Sequence, residues 1–170
     1  MLAARCSLAA LNALDSEAFT ALLGGVFEHS PWIARAAYGA RPFGSIAELH
    51  AAMLRVVADA SADRQLRLLQ AHPVLAPSGA AKLTAASAAE QAGIGMDRLA
   101  ADETAMLYAL NGAYRARFGF PFIMAIKERS KAEILAAFEK RLLNGPEAET
   151  ATALAEIDRI AALRLKEILP

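Results

Sequence analysis

The sequence predicts an all-α fold. Apolar residues recur at spacings of three and four, no segment keeps a period-two alternation, and three Ser-x-x-Glu helix-start signals punctuate the chain at Ser45, Ser87 and Ser130. With 170 residues to place, we expect one domain over residues 1–170 built from about seven or eight helices.

In chain order, Asp15 or Ser16 can cap a helix running from Glu17 to Phe27, with Phe19, Leu22, Leu23 and Val26 on its apolar side. Pro31 breaks that helix and starts another. Trp32, the only tryptophan, is expected to anchor the core, and His29 to sit at the surface or in a cap. After a turn at Arg41-Pro42-Phe43-Gly44, Ser45 and Glu48 form a capping box. The helix they open has the stripe Ile46, Leu49, Met53 and Val56 or Val57. His50, on the same helix, has no obvious polar partner in the sequence. Ser61 starts a helix with Leu66 and Leu69 inward, which ends at His72-Pro73 because proline disfavours the α conformation in the residue before it.

A loop at Pro77-Ser78-Gly79-Ala80 precedes a short helix carrying Ser87, Glu90 and Gln91, closed by Gly93 and Gly95. A long helix follows from Asp97 to Phe118, with Met106, Leu107, Leu110 and Tyr114 along one side. Gly119 and Pro121 then forbid a regular helix, although Phe122 to Ile126 are wholly apolar. Such a stretch hides its side chains while its backbone N–H groups need partners, whether in a buried connector or in an anion- or amide-binding strip. Ser130 and Glu133 open a helix expected to reach Asn144, with Gly145 as its stop and Pro146 at the first turn of the last helix. There Leu154, Ile157, Ala161, Arg164 and Ile168 are spaced 3, 4, 3 and 4, so Arg164 falls on the apolar stripe. Buried and unpaired it would be costly, so it must snorkel or meet an anion.

Composition narrows the classes. Hydrophobic residues make up 56% and charged residues 21%, which fits a globular chain and not a disordered one. The 18 basic and 18 acidic side chains cancel, with no basic stripe, so neither nucleic acid nor a membrane is expected as partner. Cys6 is alone, which removes any intrachain disulfide or Cys-x-x-Cys site. No apolar run approaches the ~18 residues of a membrane span, and Met1 to Ala10 falls short of a signal peptide, so a cytoplasmic location is expected.

The middle of the chain carries the chemistry. His72 should stand at a helix end, and Ser87, Glu90 and Gln91 in the first turn of the next helix. An imidazole facing a hydroxyl, a carboxylate and an amide suits an active-site floor; the same Ser87 and Glu90 also read as a capping box.

The ordered fragments Phe27-Glu28-x-Ser30-Pro31-Trp32, His72-Pro73-x-Leu75-Ala76, Leu83-Thr84-x-x-Ser87-x-x-Glu90-Gln91-x-x-x-Gly95, Asn111-x-x-Tyr114-x-x-Arg117-Phe118-Gly119-Phe120 and Arg164-Leu165 resemble the 2-oxo-4-hydroxy-4-carboxy-5-ureidoimidazoline (OHCU) decarboxylase family of urate breakdown. The resemblance runs from about residue 11 to residue 168. It implies an all-helical fold, a homodimer, no metal or organic cofactor, and decarboxylation of a small ureidoimidazoline carboxylate to (S)-allantoin. Carried over by motif, His72 and Glu90 would be catalytic. Pro73, Ser87, Gln91 and Arg164 would bind substrate together with the backbone of Phe122, Ile123, Met124, Ala125 and Ile126. The chain departs from the pattern at Val74, where an acidic residue is common, at Arg117 for a usual lysine, and at Glu128-Arg129, where a glycine is common. Another cofactor-free helical decarboxylase or hydrolase, or a non-catalytic helical binding module, also fits the residues read alone.

Overall fold

Polar caps and glycine or proline stops divide this alanine- and leucine-rich chain into helices, and the computed structural model describes residues 6–76, 83–127 and 129–170. Among these residues there are nine α-helices and no strand. They are α1 (Leu8–Ala13), α2 (Ser16–Leu23), α3 (Pro31–Ala37), α4 (Ile46–Ala58), α5 (Ala62–Gln70), α6 (Ala85–Gly93), α7 (Ala101–Phe118), α8 (Lys131–Leu142) and α9 (Pro146–Ile168). The expected helical class holds. The helix α1, which the sequence reading did not separate, is capped by the Ser7 hydroxyl accepting from the Ala10 N–H.

The chain forms two compact units. The first comprises residues 1–71 and 158–170, and the second residues 72–157. In the first, Asp15 caps α2 as expected, but α2 stops at Leu23 and not at Phe27. Gly24 ends it where α3 approaches: a Cβ there would lie 3.1 Å from the Pro31 Cβ. Phe19, Leu23, Ile33, Leu49, Met53 and Leu69 are sealed from water, with Ala161 and Leu165 from the end of α9. Asn12 exchanges two 2.9 Å hydrogen bonds with the Phe43 backbone, and Arg41 donates to the carbonyls of Asn12 and Leu14, which pins the 41–44 turn.

Several first-unit details differ from expectation. Ser45 caps α4, but the Glu48 carboxylate reaches the Gly44 N–H, so the box closes one residue early. Leu68 replaces Leu66 as the buried partner of Leu69, and Leu66 is 39% exposed. Adjacent leucines leave periodicity ambiguous by one residue. Trp32 is only half-buried, with the Arg64 guanidinium 4.1 Å from its ring centre, so it is no core anchor. His50, without a visible partner in the sequence, lies 2.9 Å from Asp158 Oδ1, a residue over a hundred positions away.

The second unit is built on aromatic packing. Tyr114 of α7 meets Phe118, Phe120, Phe122 and Phe138 at ring distances of 4.7 to 5.9 Å, and Phe122 stacks on Phe138 at 3.9 Å. The helix α7 begins at Ala101, not Asp97, because the Glu103 carboxylate reaches back to the Ala100 N–H at 2.9 Å. Leu107 and Tyr114 face inward, whereas Met106 is 41% exposed. Gly119 ends α7 with φ +77°, a conformation that favours glycine. The Ser130–Glu133 capping box forms in full, and α8 ends at Leu142, short of Asn144. Among the described residues, no helix is long and apolar enough to cross a membrane.

Candidate active site

The helix α6 is built inside out. Ala85, Ala86, Ala88, Ala89 and Ala92 face water, while Ser87 and Gln91 are buried and Glu90 is half-buried. Apolar burial alone would turn such a helix the other way, so its polar face is held inward for hydrogen bonding. Thr84, not Ser87, caps it: the Thr84 hydroxyl oxygen accepts the Ser87 N–H at 3.3 Å. Ser87 and Glu90 therefore lie inside the helix, and the capping-box reading of that pair fails.

Gln91 fastens α6 to the segment after His72. Its Oε1 accepts the Ala76 N–H at 2.8 Å, and its Nε2 donates to the Val74 carbonyl at 3.2 Å. Asn111 of α7 donates to the Leu75 carbonyl between them, at 2.9 Å. Ala76 adopts φ +49°, a left-handed conformation that costs a non-glycine residue about 1 kcal/mol, and the Gln91 bond offsets that cost. Three consecutive residues are thus held by two amide side chains, two residues beyond His72. His72 is 8% exposed, and Pro73 is half-buried. The expected loop at Pro77, Ser78, Gly79 and Ala80 lies outside the described residues, as does Glu128.

The segment Phe122 to Ile126 is irregular, as the sequence predicts. Phe122, Ile123 and Ile126 are buried, and Met124 and Ala125 half-buried. Behind it sits a polar network that the sequence reading missed. Arg141 Nη1 donates to the Ile123 carbonyl at 2.6 Å, and its Nε and Nη2 pair with Glu149 Oε1 at 2.8 and 2.6 Å. Glu149 is fully buried; it also accepts from the Tyr114 hydroxyl and, at 2.7 Å, from Asn144 Nδ2. Burial first, and the bond to Glu149 second, hold the Tyr114 hydroxyl well above the usual phenol range. Glu156, also buried, accepts the Ala125 N–H at 2.9 Å. In the sequence only Arg141 is signalled, by following the apolar Ile134 and Phe138 at spacings of four and three; Glu149 and Glu156 lie off the 154–157–161–164 stripe and turn inward with Ala153 and Ile160.

Arg164 belongs to the first unit and is 5% exposed. Its Nη1 donates to Glu28 Oε2 at 2.8 Å and lies within 3.4 Å of the Gly25 and Val26 carbonyls. Of the two expected fates it meets an anion, and that anion includes a carboxylate of its own chain.

The family model for OHCU decarboxylase matches residues 12–166. The 2-oxo-4-hydroxy-4-carboxy-5-ureidoimidazoline decarboxylase of Haloferax volcanii is 45% identical over 161 residues, covering 95% of each chain. The uric acid degradation bifunctional protein of Bacillus sp. TB-90 is 42% identical over 158 residues, and this chain spans 31% of that longer protein. Among solved structures, an (S)-allantoin synthase superposes with a TM-score of 0.79 at 33% identity, covering 96% of this chain and 54% of the other.

Proposed function

Because the chain belongs to the OHCU decarboxylase family and is a decarboxylase of urate breakdown, we propose that His72 carries the proton transfer of that reaction and that the polar face of α6 orients the substrate. The observation that carries this reading is the inverted burial of α6 together with the Gln91 clamp beside His72. The match over residues 12–166 supports one functional domain for the chain.

Loss of CO2 from the ureidoimidazoline leaves an electron pair that the adjacent imine accepts, giving an enol-like intermediate. Protonation at the ureido-bearing carbon then sets the stereocentre and yields (S)-allantoin. Such a reaction needs orientation, charge placement and one positioned proton donor, all of which side chains and backbone can supply. In this reading the buried His72 exchanges the proton with the substrate, and Pro73 fixes its backbone. Glu90 accepts the N–H groups that a urea donates, or orients the imidazole. Ser87 offers a hydroxyl. Gln91 positions the Val74–Ala76 segment with one N–H, and its amide has a second to give the ring edge. The backbone of Phe122 to Ile126 meets the ureido and ring amides. Arg164, paired with Glu28, holds an oxyanion.

A circular dichroism time course tests the whole. Urate, urate oxidase and the hydrolase that follows it are combined with and without this protein. Rapid appearance of the (S)-allantoin signal is expected; slow racemic product at the spontaneous rate would refute the reading.

The assembly belongs to the same proposal. The family likeness supports a homodimer, and so does the exposed side of α7, where Tyr108, 70% exposed, stands among Ala105, Ala109, Gly112 and Ala116. A solution mass near 18.0 kDa, that of one chain, would exclude the dimer. A cytoplasmic location fits the unpaired Cys6 thiol.

A further inference from the structure

Two backbone groups of the Phe122–Ile126 segment are held from within the second unit by buried charged side chains. The Ile123 carbonyl accepts from Arg141, and the Ala125 N–H donates to Glu156. We propose that Arg141 and Glu156 are positioning residues that fix the register of this segment, so that Met124, lying between the two held residues, presents its own N–H and carbonyl to the amide groups of the substrate. The proposal rests on the reading that the segment contacts substrate.

Residue chemistry supports a positioning role over simple filling of space. Arg141 and Glu156 are 7% and 8% exposed, and burying charge is costly where an apolar side chain of similar size would pack without penalty. The charge on Arg141 is answered by Glu149, which Asn144 and Tyr114 hold in turn. The same guanidinium lies 4.5 Å from the Phe122 ring centre, and Phe138 stacks on that same ring at 3.9 Å. The segment is thereby gripped at Phe122–Ile123 and again at Ala125. A slip of one residue would exchange the backbone groups held by the protein with those left for a ligand. Met124, half-buried, is the residue between the grips.

The test uses the full chain, 15N-labelled, titrated with (S)-allantoin, together with kcat and KM from the dichroism assay. In the wild type, the amide signals of the segment should shift on titration. Glu156→Gln keeps an oxygen that can accept the Ala125 N–H and should stay within about twofold of the wild-type KM. Glu156→Leu fills the space but leaves that N–H unpaired, and should raise KM about tenfold with a much smaller change in kcat. Arg141→Lys keeps the charge but loses the fork that reaches Ile123 and Glu149 together, and should act like Glu156→Leu. If Glu156→Leu does not fold, Arg141→Lys carries the same comparison. Shifted wild-type amides combined with an unchanged KM in the leucine and lysine variants would overturn the positioning role. So would a Glu156→Gln variant as impaired as Glu156→Leu. If no amide of the segment responds to (S)-allantoin in the wild type, the substrate contact itself is wrong, and the positioning role falls with it.

Discussion

At the scale of single residues, the chain reserves buried polar groups for a few places. His72 is one, and its role makes a direct prediction: His72→Ala should lower kcat by roughly 10²- to 10⁴-fold, the range typical of general acid–base catalysis, in the (S)-allantoin assay. A variant with full rate would remove His72 from the mechanism. Gln91 is another. Gln91→Leu keeps the volume but strands the Ala76 N–H and the Val74 carbonyl, costing about 1–3 kcal/mol in chemical denaturation and slowing turnover. Arg164 pairs with Glu28, and the proposed mechanism gives it a second duty at the substrate. Deleting it removes the guanidinium from its ion pair with the buried Glu28 carboxylate, which should cost about 3–5 kcal/mol of stability. Arg164→Ala should also raise KM; a fall in stability with KM unchanged would confine the residue to its pair with Glu28.

At the scale of elements, the caps decide where each helix begins, and α6 is the informative case. The spacing of Ser87 and Glu90 permits a capping box, yet Thr84 takes the cap three residues earlier and so carries both polar side chains into the body of the helix. Thr84→Ala should therefore destabilise by about 1 kcal/mol, whereas Ser87→Ala should show no cap loss and act on substrate binding. Equal thermal effects from the two would contradict this assignment. Of the sequence signals, the Ser-x-x-Glu pattern was right in full at Ser130, right in part at Ser45 and misleading at Ser87. Three Ser-x-x-Glu patterns look alike locally; what separates them is which hydroxyl lies nearest an unpaired N–H once the preceding turn is placed.

At the scale of the molecule, the buried Tyr114–Glu149–Arg141 network ties stability to pH. The Tyr114 hydroxyl is held protonated well above its ordinary value of 10.0, chiefly by burial and then by Glu149. The folded state thus favours the neutral phenol more than the unfolded chain does. Its contribution is complete below about pH 10 and declines as pH rises above it, because the unfolded chain then releases a proton that the folded chain keeps. Denaturation midpoints should fall above that pH in the wild type and fall less steeply in Tyr114→Phe. Parallel curves would place the alkaline loss elsewhere.

By itself, the sequence determined the helical class, the helix starts at Pro31 and Pro146, the stop at Gly119, and the family. These follow from periodicity, from backbone restrictions and from ordered motifs, all of them local in the chain. Only the tertiary structure decided what each buried polar group bonds to. It gave Arg164 to Glu28, Arg141 to Glu149 and Ile123, and Glu156 to Ala125. A charge on an apolar stripe announces that it needs a partner, but the partner is chosen by which chain segments the fold brings within about 3 Å, and no spacing along the chain encodes that distance.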